Sequence, residues 1–73
     1  MKNKVTLTGI RSWMYGVPKS IYAAYKKDGK FFIAVSTEIC HHWYGMQSLR
    51  QHYNTTYIGQ DAIFRQVYEV TEK

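Results

Sequence analysis

The residues best suited to chemistry stand close together: Cys40, His41 and His42 are consecutive, and His52 follows. Thiolate and imidazole are ligands that zinc prefers, and a thiol beside a base can act as a nucleophile. Their spacing supports neither use. On a helix, adjacent side chains diverge by about 100°, and His41 and His52 lie about 16 Å apart along the axis. Cysteine and histidine partners in thiol enzymes meet across a fold, not side by side in the chain. The carboxylates are no better arranged, since Asp28 belongs to a turn and Glu69 and Glu72 to a solvated end. There is no phosphate-binding loop, dinucleotide fingerprint or serine elbow. The sequence therefore predicts no catalytic residues, no metal, no cofactor and no enzyme.

Aromatic and basic residues carry more information. Asp28-Gly29 supplies the two residues that tolerate positive φ in a tight hairpin, between strand-like runs from Ile21 to Lys26 and from Phe31 to Ser36. A two-residue turn fixes the register, pairing Lys27 with Lys30 and Tyr25 with Phe32, and so on to Tyr22 with Val35. Alternation then puts Tyr22, Ala24, Phe31, Ile33 and Val35 on one face, and Ala23, Tyr25, Lys27, Lys30, Phe32 and Ala34 on the other. Tyr25 and Phe32 thus form an aromatic pair beside two lysines. Such a surface can dock a protein, or it can stack bases while neutralising phosphates. Parity alone does not say which face a helix covers, so a core position for both rings stays open. The segment Phe31 to Val35 lacks the motif of RNA-recognition domains. Upstream, Trp13, Met14 and Tyr15 lie between Arg11 and Lys19 in a stretch interrupted by Gly16 and Pro18. These residue types are enriched at interface centres, and a loop tryptophan also serves to plug the end of a small core.

The surrounding elements follow from periodicity. Val5 to Ile10 alternates and is β-branched, which predicts a first strand. Ile39, His42 or Trp43, Met46, Leu49 and Tyr53 recur at helical intervals, predicting a helix from Glu38 to Tyr53 with Ser36 or Thr37 as its cap. Asn54-Thr55-Thr56 ends it, a loop runs through Gly59, and Ala62 to Thr71 reads as a last strand. The expected architecture is one α+β domain over residues 1–73, a small antiparallel sheet of about four strands built on the hairpin. One helix packs on one face and leaves the other to solvent, a second copy or a partner.

Composition bounds the function. The 73 residues carry ten Lys or Arg against five Asp or Glu, a net charge of +5, with 45% hydrophobic and 16% aromatic content. That suits one folded domain and excludes barrels and doubly wound sheets. No apolar run reaches the ~18 residues of a membrane span, and no signal peptide is read, so no membrane partner is expected. A lone cysteine suits the cytoplasm. The leading expectation is a non-enzymatic module that binds a protein partner, a stoichiometric regulator or inhibitor of a nucleic-acid-handling complex. Its binding residues would be Arg11, Trp13, Tyr15, Lys19, Tyr25, Lys27, Lys30 and Phe32. The compact, aromatic-rich format resembles the small accessory proteins that phages and mobile elements use as inhibitors. Direct binding of single-stranded nucleic acid or a nucleotide is the alternative, and self-association as a homodimer through the open face is compatible with either.

Overall fold

Asp28 and Gly29 take φ values of 52° and 77°, the left-handed pair that a two-residue hairpin turn requires. In the computed structural model, which describes residues 5–14, 16–18, 21–39 and 43–73, they join β1 (Tyr22–Lys27) to β2 (Lys30–Val35). The register is the one the turn dictates, from Lys27 opposite Lys30 through Tyr25 opposite Phe32 to Tyr22 opposite Val35. β3 (Tyr53–Gln60) and β4 (Gln66–Glu72) complete an antiparallel four-stranded sheet in the order β1-β2-β4-β3. The hairpin thus supplies one edge strand and one inner strand. Two helices, α1 (Leu7–Ser12) and α2 (Tyr44–His52), make this a small α+β fold.

Both helices pack on the same face. Ile10 and Met14 from the α1 region, with Met46 and Leu49 from α2, form one cluster with Tyr22, Ala24, Ile33, Val35, Tyr68 and Val70 of the sheet. Burying these side chains is the main stabilising term, at roughly 1.5–3 kcal/mol for each large one. The helices meet at Gly45, where a Cβ would lie 2.8 Å from the Trp13 carbonyl oxygen and 3.3 Å from the Trp43 ring. Glycine there allows the close approach, which outweighs its weak helix propensity. α2 runs directly into β3, and Lys73 Nζ donates to the carbonyls of Arg50 and Gln51 at 3.2 and 3.1 Å, capping its last turn.

Four expectations are corrected. Val5 to Ile10 is not a strand: the Thr6 hydroxyl accepts from Gly9 N at 3.0 Å and caps α1, whose Ile10 is fully buried. The cap and the Leu7, Ile10, Met14 spacing override the β-branched alternation. The long helix is shorter, because residues 37–39 form turns and α2 begins only after Trp43, while Cys40, His41 and His42 lie outside the described residues. Ser36 accepts from Glu38 N at 3.4 Å, a local turn and not the cap of that helix. The stretch from Asn54 through Gly59 is β3 and not a loop, paired along β4 with a bulge between Tyr57 and Gly59. The last strand begins at Gln66, after a turn over residues 61–65. Among the described residues no helix is long and apolar enough to cross a membrane.

Candidate interaction face

Because the helices cover the Tyr22 side, the side chains of opposite parity on β1 and β2 face away from them. Tyr25 and Phe32 stand there as a cross-strand pair, ring centroids 5.4 Å apart and planes 22° from parallel. Each ring gives one face to the other, which fixes both at the geometry favoured by offset aromatic pairs. Tyr25 is 36% exposed and Phe32 half-buried. Toward the turn, the next pair on this face is Lys27 and Lys30, both exposed. Away from the turn lies Ala23 opposite Ala34, which is in turn opposite Val67. Ala34 and Val67 are buried, at 0% and 5% exposure, yet belong to no part of the helix-covered cluster. The open face therefore presents two cations and then an aromatic wall, while Ala34 and Val67 beyond it are packed away and offer almost no accessible surface.

The other sequence-predicted residues lie elsewhere. Trp13 caps the C-terminal end of α1 on the helix-covered side, packs against the core, and sets its ring 5.0 Å from that of His52. His52 is held in turn through Nδ1 to the Ser48 carbonyl at 3.0 Å. The sheet separates Trp13 from Tyr25, so the expected continuous patch splits in two. Arg11 sits at the outer edge of β1, where Nη2 donates to the Ala24 carbonyl at 3.3 Å. Tyr15 and Lys19 lie outside the described residues. Lys26, of opposite parity to Lys27, stands over the Phe31 ring at 5.6 Å. Among the described residues no three His, Cys, Asp or Glu side chains gather as a metal would need.

Sequence reasoning missed the far side of the face. Glu69 lies opposite Phe32, and Thr56 opposite Glu69, so a carboxylate borders the aromatic wall. That neighbour follows from the long-range β2–β4 register, for which no local turn codes. Compared with known families, curated proteins and solved structures, the chain matches none.

Proposed function

We propose that the protein is a non-enzymatic binding module that docks a partner protein, as a stoichiometric regulator, on the open face of its sheet. The observation that carries this reading is the stacked Tyr25–Phe32 pair on the face that neither α1 nor α2 covers, with Lys27 and Lys30 as a cationic rim. An immobilised aromatic anchor is what concentrates binding energy in protein interfaces, and the lysines speed encounter with an acidic surface. Nucleic acid is the weaker fit. Each ring already spends one face on its neighbour, and Glu69 opposite Phe32 repels phosphates where bases would stack. The lone cysteine and the absence of any need for a disulfide suit action in the cytoplasm.

A photo-crosslinking amino acid at position 25, and separately at position 64, tests the reading in extract of the native host. Crosslinking to one protein in a one-to-one ratio from position 25, competed by unmodified protein, is the expected result. Retention on single-stranded DNA or RNA with steep salt dependence, lost in the Lys27→Ala/Lys30→Ala double variant, would instead establish nucleic acid as the ligand.

A further inference from the structure

The docking of α1 on β1 brings together two groups far apart in sequence, Arg11 and Tyr22. With Lys27 opposite Lys30 closing the hairpin, alternate residues of β1 turn their backbone groups away from β2, and the Ser36 N to Ile21 O bond of 2.8 Å keeps the same phase at the far end. Ala24 is one of the outward residues, and its carbonyl takes one donor from Arg11. A guanidinium has five donors, and no carboxylate pairs with Arg11 among the described residues. Between α1 and this edge lies a cavity of about 420 Å³ lined by Arg11, Met14, Val17, Tyr22, Ala23 and Ala24. Tyr22 is 7% exposed, and its buried hydroxyl has no hydrogen-bond partner among the described residues. Burial pushes that phenol well above its ordinary value, while the charge of Arg11 works in the opposite direction, so the two groups share one electrostatic environment.

We propose that this cavity binds a small carboxylate with an apolar body, the carboxylate held by Arg11 and the Tyr22 hydroxyl and the body lying on Met14, Val17 and Ala24. The volume falls within the range of small-molecule sites, and the lining has their usual make-up of apolar walls with few convergent polar groups. One cation and one neutral donor match a monoanion, and Arg presents the planar fork that a carboxylate takes up. The acid is either a free molecule or the end of a peptide chain, of which only the last residues would enter, since Tyr22 N and the Ala24 carbonyl at this edge are already bonded to Pro18 and Arg11. The site meets the open sheet face at Ala23, and neither proposal depends on the other.

Titration of the ¹⁵N-labelled protein with 3-phenylpropionate, and separately with 3-phenylpropionamide, tests it. The acid is expected to shift the amide resonances of Arg11, Met14, Tyr22 and Ala24 and to bind about ten-fold more tightly than the amide. Arg11→Gln abolishes that preference, and Tyr22→Phe, which keeps the ring, weakens the acid several-fold in a spectrum that retains its dispersion. A second arm uses N-acetyl-Val-Phe with a free or an amidated terminus: tighter binding of the free-terminus peptide than of phenylpropionate assigns a chain end, and weaker binding a free acid. Equal affinity for acid and amide, acid binding unchanged by Arg11→Gln, or no shifts with any probe at about 10 mM overturns the proposal.

Discussion

The β1–β2 turn and the β3–β4 turn perform the same reversal with different chemistry. The first is closed by two backbone conformations, Asp28 and Gly29 at positive φ, and carries Lys27 and Lys30 at its base. The second adds a side-chain frame to two backbone bonds, Asp61 N to the Arg65 carbonyl at 3.1 Å and Phe64 N to the Asp61 carbonyl at 3.0 Å: Asp61 Oδ1 accepts from Ile63 N and Arg65 N at 3.1 and 2.8 Å, and Oδ2 pairs with Arg65 Nε at 2.7 Å. That frame holds Phe64 at φ 65°, a sparsely populated region for a bulky side chain, and leaves Ile63 and Phe64 61% and 71% exposed. If exposed apolar area alone chose the docking site, the second tip would win. A fixed anchor and a cationic rim favour the face beside the first, so the two hairpins pose opposite answers to one question.

The largest stability effect is expected at the backbone-coded turn. Gly29→Val forces a β-branched residue to φ 77° and should cost about 2 kcal/mol, lowering the thermal midpoint by roughly 10 °C. A melt unchanged by it would remove the distinction between the turns. At the second turn, Asp61→Ala should cost about 1 kcal/mol, read as faster hydrogen exchange at Ile63 and Arg65 with the rest of the sheet protected. Desolvation opposes the ionised Asp61, but the N–H groups of Arg65 and Ile63 and the Arg65 guanidinium outweigh it and hold the carboxyl below its ordinary 3.8. The folded value being the lower one, this contribution is full above that ordinary value and is lost as pH falls through the depressed one. Acid titration should therefore release the Ile63 and Arg65 amides in the parent protein, while Asp61→Asn exchanges them without that pH dependence. The smallest effect is a gain: Phe64→Gly relieves the positive φ and, against the added chain entropy, should stabilise by about 0.5 kcal/mol in denaturant melts. A loss instead would show that the ring, though exposed, supports the loop.

The same contrast explains what was legible in the sequence. The β1–β2 register and the parity of Tyr25 and Phe32 follow from two adjacent residues, so both could be read without the rest of the chain. α1 was hidden because Val5 to Ile10 alternates like a strand, and only the Thr6 cap and the burial of Ile10 and Met14 against β1 decide for helix. β3 was hidden because Asn54, Thr56, Tyr57 and Ile58 are all exposed and the bulge after Tyr57 breaks the alternation that marks a half-buried strand. Trp13 was grouped with Tyr25 because its side of the sheet depends on where α1 docks. The Arg11–Tyr22 cavity depends on the same docking and has no local signature.

Affinity of the crosslinked partner for two variants measures the central claim most directly. Tyr25→Ala and Phe64→Ser, both confirmed folded by their amide spectra, would be titrated calorimetrically against it. The open-face account predicts a loss of about 2 kcal/mol for Tyr25→Ala and an effect within about 0.5 kcal/mol for Phe64→Ser. Unchanged affinity in Tyr25→Ala with a large loss in Phe64→Ser would contradict it and move the docking site to the β3–β4 tip.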